Sequence, residues 1–391
     1  MAVPRFRSYE GPAILSYGFR PFFLLGSAYA GLSILFWVPA YSGLVETSSL
    51  FAPVDWHVHE MLFGYLAAVV TGFLLTAIPN WTGRLPVMGL PLLALVVLWV
   101  AGRIAVFFSG FLGWQVAVAI DCSFLAAVAV VTAREIVSGR NWRNLKVLAP
   151  LTILLVANIC FHMEAHLFGI SDVSRRLGLS AALLLIMIIG GRIIPSFTRN
   201  WLARENPGRL PAPFGHFDTS AIAISAGALV SWCGFPEASG AAITLAAAAA
   251  LQVVRLARWA GDRTFADPLV LILHFSYAFI PIGMMLVALS ILFPAIVPAA
   301  AGIHAIGSGA IGAMTLAVMI RATLGHTGRP LRAGRVGSFI FAMIMTAALV
   351  RVAGAFAPDL LLMQIAGGAW AVAFLGFVLA YGPALARPKL R

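Results

Sequence analysis

The sequence predicts an all-α membrane protein, a bundle of twelve transmembrane helices with both termini in the cytoplasm. Three observations predict it. Of the 391 residues, 61% are hydrophobic and 10% charged, with a mean hydropathy of +0.96. A soluble domain is about 25% charged, and a disordered chain is poor in apolar residues. Apolar stretches of the length needed to cross the hydrocarbon core, about 20 residues, recur along the whole chain. Finally, the basic residues sort into alternate connections between those stretches.

The stretches run 22–44, 57–80, 86–108, 112–133, 146–168, 177–199, 219–236, 239–259, 268–293, 297–323, 335–356 and 360–385. In the first, Ala28-Tyr29-Ala30 has the form of a signal-peptidase site, but the apolar run continues to Val38 and a long segment precedes it. It therefore reads as a retained helix. The second lies between Trp56 and Trp81, the fifth follows Trp142 and the sixth ends before Trp201, as an aromatic belt at the membrane interfaces requires. Internal Gly and Pro are tolerated in membrane helices. The longest connection, 200–218, contains Pro207, Pro211 and Pro213 and reads as a linker between two halves of six helices. No soluble domain fits, so residues 1–391 form a single polytopic domain. The alanine run 246–250 favours helix and lets neighbouring helices approach closely.

With the N-terminus inside, 21 of the 26 Lys and Arg fall in cytoplasmic segments. Only Arg175, Arg176 and Arg351 fall on the other side, while Arg103 and Arg192 lie within spans. This asymmetry follows the positive-inside rule. It also accounts for the net charge of +12, which topology explains without nucleic acid.

Cys122, Cys160 and Cys233 are isolated in apolar stretches, without a CxxC or CxxCH. They read as small packing residues; zinc knuckles and covalent c-type haem are not indicated. Walker A, Rossmann and HExxH patterns are absent, which removes support for ATP-driven transport and zincin proteolysis.

Ionisable residues inside a bilayer are costly, and each is a functional candidate. Six of eight histidines lie in or at the ends of spans: His57, His59, His162, His166, His274 and His304. The orientation places all but His274 in one layer near the outer face. Neutral imidazole ligates haem iron, copper and zinc. His162 and His166, four apart, share a helix face. His57 and His59, two apart, point about 200° away from each other on an ideal helix. Met61 falls on the His57 face and adds a thioether suited to haem iron or Cu(I). The bland alternative for each histidine is a hydrogen bond to a neighbouring helix. Glu60, Glu164, Asp121, Arg103 and Arg192 complete the polar set. Arg103 and Arg192 are candidates for anion contacts or haem-propionate clamps, against structural pairing such as Arg103 with Asp121 or snorkelling. Asp121 and Glu60 are candidates for tuning a ligand or carrying protons. Met314 and Met319 read as core.

Several blocks resemble the NnrS family. They are Tyr17-Gly18-Phe19-Arg20-Pro21-Phe22-Phe23, Trp56-His57-Val58-His59-Glu60-Met61-Leu62-Phe63-Gly64, Gly72-Phe73-Leu74-Leu75-Thr76-Ala77, Asn80-Trp81-Thr82-Gly83, Gly190-Gly191-Arg192-Ile193-Ile194-Pro195 and Thr198-Arg199-Asn200. A later block runs from His304 through Gly309 to Met319, then Arg321-Ala322 and Leu324-Gly325-His326-Thr327-Gly328-Arg329. The resemblance implies a multi-pass protein of the bacterial inner membrane that contains non-covalent b-type haem and copper and is linked to nitric oxide and nitrosative stress. Its histidine motifs fall on His57, His59, His162 (in Asn158-Ile159-Cys160-Phe161-His162), His274, His304 and His326. His166 has no counterpart in the pattern, and Ile320 stands where Thr is expected. Helix two is also faintly similar to the low-spin-haem helix of haem–copper oxidases, but their adjacent His-His pair and His-Pro-Glu motif are missing.

The leading expectation is thus a haem- and copper-containing membrane protein that binds or detoxifies nitric oxide, with a quinol or other electron donor if it turns over. Its metal ligands are expected among His57, His59, His162 and His304, with His274 as a further haem or copper candidate and His166, Met61 and His326 as weaker ones. Two rivals are a non-catalytic nitric oxide or haem sensor and a twelve-helix secondary transporter using the buried Arg and Asp.

Overall fold

A computed structural model describes residues 9–389. Arg5, Arg7 and Arg391, which enter the charge count, lie outside the described residues. Among those described, the regular structure is helical, with no strand. The long helices are α1 (Phe19–Tyr41), α2 (Pro53–Thr82), α3 (Leu90–Phe107), α4 (Trp114–Ser138), α5 (Trp142–Phe168), α6 (Val173–Glu205), α7 (His216–Gly234), α8 (Ser239–Arg263), α9 (Pro268–Leu292), α10 (Ala299–His326), α11 (Gly334–Phe356) and α12 (Leu360–Ala386). Eleven are long and apolar enough to cross a bilayer. The stretch expected at 219–236 does fold, as α7, but is not among those eleven. His216, Asp218, Thr219 and three serines lower its apolarity.

Local chemistry sets the helix ends. Asp267 caps α9, its side chain accepting from the Leu269 N–H at 2.9 Å, and Pro268 follows at the first helical position. Gly83, at φ +71°, ends α2 in the left-handed conformation that suits glycine. At the far end of the chain, the last carbonyls of α12 are satisfied by Arg20 of α1. Its Nη1 donates to Leu385 O at 2.7 Å and Arg387 O at 2.6 Å.

Three helices contain a wide π turn: Glu60–Leu66 in α2, Ile186–Gly190 in α6 and Ala305–Ala313 in α10. All three overlap blocks that carry the family resemblance, the second at Gly190 alone. Wide turns of this kind recur at functional sites, and here glycines within or next to them admit close neighbours. A Cβ on Gly64 would meet Arg103 Nη1 and Glu60 Oε2, each at 2.8 Å, and one on Gly191 would strike the Arg255 guanidinium.

The chain divides into two compact units. The first comprises Met1–Gly178, Ala322–Pro330 and Phe374–Arg391; Phe19, Phe22, Phe23, Phe63, Phe124, Phe161, Phe374 and Phe377 fill its core. The second comprises Leu179–Arg321 and Leu331–Ala373, with a core built around Trp259, Tyr277, Leu273 and Ile280.

Candidate metal centre

In the first unit, four helices bring buried polar side chains to one place. Helix α2 supplies His59 and, at the start of its π turn, Glu60. Helix α3 supplies Arg103, α4 Asp121, and α5 Asn158 and His162, which are four residues apart and share a face. His59, Glu60, Asp121, Asn158 and His162 are all buried.

Arg103 joins the two carboxylates. Its Nη1 donates to Glu60 Oε2 at 2.5 Å and its Nη2 to Asp121 Oδ1. Glu60 Oε2 also accepts from the Tyr29 hydroxyl, and Glu60 Oε1 from His59 Nδ1 at 2.9 Å. Asp121 Oδ2 accepts from Asn158 Nδ2 at 2.8 Å and His162 Nε2 at 3.2 Å. It also lies 3.2 Å from His59 Nε2, which faces Asn158 Oδ1 at 2.9 Å.

Ionised carboxylates only accept, and Asn158, having given its amide to Asp121, presents its carbonyl to His59. Both His59 nitrogens therefore face acceptors. The arrangement seats either a doubly protonated ring or a ring whose Nε2 proton is replaced by a metal ion.

His59 Nε2, His162 Nε2 and an Asp121 oxygen lie within 4.8 Å of one another. Metal bonds of about 2.0–2.1 Å in tetrahedral geometry hold ligand atoms roughly 3.3 Å apart, close to both 3.2 Å imidazole–carboxylate separations. Two imidazoles and a carboxylate suit copper, zinc or ferrous iron. A haem fits this spot poorly. The His59 ring is packed against Phe51 at 4.9 Å, His162 at 5.0 Å, Phe63 at 5.2 Å and Phe161 at 5.3 Å between centroids, leaving no flat slot beside it.

The other sequence candidates sit elsewhere. His57 turns away from His59 and stacks on Trp37, with centroids 4.2 Å apart. His166 is exposed and stacks on Trp114 at 4.5 Å. His326 is exposed and lies against Tyr17 and Phe19. Met61 is half-buried inside the π turn, where the i to i+4 register that aligned it with His57 does not apply. Arg192, His274 and His304 belong to the second unit. There His274 Nε2 pairs with Thr198 Oγ1 at 2.8 Å, and Arg192 and His304 are half-buried.

The second unit has its own buried ionic cluster, absent from the sequence reading. Arg255, counted there among loop charges, is fully buried. It donates from Nε to Asp218 Oδ1 at 3.0 Å, and from Nη1 to Met187 O at 3.0 Å and Tyr277 Oη at 2.8 Å. Sequence reasoning also missed Tyr29, Phe51 and the role of Asn158. Asn158 alone had a usable signal, as an amide one helical turn before His162.

Outside the spans, Asp172 is bound by Arg175 at 2.6 Å and Arg176 at 2.7 Å. Partial burial pushes its carboxyl up, but the bonds from Arg176 and Arg175 outweigh this and hold it below the usual carboxylate range.

Comparison with known proteins adds one finding. A family model described as NnrS protein matches residues 13–389, nearly the whole chain. No curated protein matches it.

Proposed function

The chain belongs to the NnrS family, and from that premise we propose that it holds copper at His59, Asp121 and His162 and binds or consumes nitric oxide there. On this reading it is a multi-pass protein of the bacterial inner membrane serving the nitrosative-stress response. The observation that supports the site is the convergence of three ligand atoms from three helices, with both imidazole nitrogens 3.2 Å from Asp121 Oδ2.

Bound copper would supply a coordination position for a diatomic ligand and a one-electron couple. The chain's own residues do the rest. Arg103 holds both carboxylates in place, so that Asp121 meets the two histidines in one orientation. Glu60 accepts from His59 Nδ1 and thereby aims Nε2 at the centre. Tyr29 donates to Glu60 and closes the network on that side. Phe51, Phe63 and Phe161 exclude water, while a neutral diatomic dissolves in the surrounding hydrocarbon and needs no polar pore. The family resemblance also implies haem, for which His57, His274 and His304 are the remaining histidine candidates; His57 and His274 would first have to leave Trp37 and Thr198.

Metal analysis and an optical spectrum of detergent-purified protein test the proposal. The wild type is expected to carry copper, and His59→Ala, His162→Ala and Asp121→Ala to lose it, while His166→Ala keeps it. Copper-free wild type, or full copper in all three ligand variants, refutes the site. Nitric oxide uptake by reconstituted protein supplied with a quinol separates turnover from binding.

A further inference from the structure

We propose that Phe51 is the gate of the centre, the side chain that decides which molecules reach His59 and His162. The inference rests on the copper reading above. Phe51 lies in the connection between α1 and α2 and is only 6% exposed. Its ring covers both imidazoles at once, 4.9 Å from His59 and 5.0 Å from His162, and meets Phe161 edge-on at 5.4 Å. The other phenylalanines touching His59, Phe63 and Phe161, are set in long helices, with backbones fixed by helical hydrogen bonds. Among the described phenylalanines against His59, Phe51 is the one supplied by a connection.

That connection is tied down just before the ring. The Leu50 N–H donates to Ser109 Oγ at 2.8 Å, the Gly110 N–H donates to Ser48 O at 2.8 Å, and Ser49 Oγ lies 3.3 Å from Ser109 Oγ. The strap also passes so close to Gly110 that a Cβ there would lie 2.7 Å from Ser48 O. On the far side, Trp37 Nε1 donates to Pro53 O at 2.8 Å. With the backbone held on both sides, the centre opens through rotation of the Phe51 ring, without displacement of the loop.

A phenyl ring offers no hydrogen bond to a passing solute. An anion such as nitrite, or a hydrated cation, must shed its water there without replacement, which is costly. A neutral diatomic sheds almost nothing and slips past a transiently rotated ring. Phe51 is therefore a specificity-determining residue that admits small neutral ligands and rejects ions.

The test uses the copper-loaded protein in detergent with bathocuproine disulfonate, a bulky anionic Cu(I) chelator, under reducing conditions. Copper extraction from Phe51→Ala is expected at least tenfold faster than from wild type, and from Phe51→Leu faster by a smaller factor. Phe341→Ala, a buried phenylalanine of α11 in the second unit, is expected to release copper at the wild-type rate. Bound copper released at the wild-type rate from both Phe51 variants overturns the gate and leaves the metal site standing. Equal acceleration in Phe341→Ala also overturns it, because general loosening then explains the effect. Wild type without copper overturns the metal reading, and the gate with it.

Discussion

Replacing Arg103 by Met tests the electrostatic core of the centre. The guanidinium is buried between Glu60 and Asp121 and makes a charge-assisted bond to each. Hydrogen bonds to charged groups contribute about 1.5–3 kcal/mol each, so two lost bonds amount to about 3–6 kcal/mol. Breaking a buried ion pair by removing one partner costs about 3–5 kcal/mol by a separate line of measurement, and the two figures agree. Met fills much of the volume of the Arg stem, so little of the loss comes from packing. About 4 kcal/mol is roughly a thousandfold change in an equilibrium constant. The cost is charge-specific. Adding Glu60→Gln and Asp121→Asn to Arg103→Met removes the stranded negative charges and should recover at least half of the loss, an interaction energy of about 2 kcal/mol between groups in direct contact. The assay is reversible unfolding in mixed micelles, followed by the fluorescence of the ten tryptophans. A loss below about 1 kcal/mol for Arg103→Met, the range of an exposed salt bridge, would refute the reasoning, as would a triple variant no more stable than the single one.

Other consequences can be measured independently. Gly64→Ala puts a methyl group 2.8 Å from Arg103 Nη1 and Glu60 Oε2; overpacking of this kind costs about 1–3 kcal/mol, and copper stoichiometry should fall with it, whereas unchanged stability and copper would show that the π turn yields freely. Arg255→Met leaves Asp218 in the second unit with Arg258, 3.9 Å away, as its cation and should cost up to about 3–5 kcal/mol without changing copper content, so copper loss in a folded Arg255→Met protein would contradict the assignment of copper to the first unit. Single cysteines at Glu205 and Glu237, in a background lacking the three native cysteines, should react with impermeant maleimide from opposite sides of the membrane if α7 crosses it; labelling from one side excludes twelve spans. Asp172 has its carboxyl held below its unfolded value, so it stabilises its loop above about pH 4 and loses that contribution as pH falls through the folded value; protection factors at 169–176, with exchange corrected for its intrinsic pH dependence, should fall on acidification in wild type and change less in Asp172→Asn.

Much of the architecture was legible because the bilayer is an undemanding solvent to read against. Length and apolarity alone located the long helices, α7 included, and the motif blocks carried the family. Periodicity also separated His57 from His59, since two residues of α-helix point nearly opposite ways, and the structure turns one ring to Trp37 and the other inward.

What periodicity lacks is the identity of the neighbour. Asn158 and Asp121 are 37 residues apart and Arg103 and Glu60 are 43 apart, and their pairing depends on which helices pack together and at what rotation. The π turns add a second obstacle. Each winds more residues into a turn than an α-helix does and rotates everything after it, so the spacing that set Met61 under His57 fails from Glu60 onward. Arg255 shows a third, because sequence position put it at a helix end, where arginine normally reaches water, and only packing against Asp218, Tyr277 and Met187 sealed it inside. A membrane bundle and the imidazoles available to it could be read from the amino-acid order, since hydrophobic length and residue type are local properties. That His59, Asp121 and His162 come together beneath Phe51 emerged only from the packing, because such geometry is a relation between helices and is written in none of them singly.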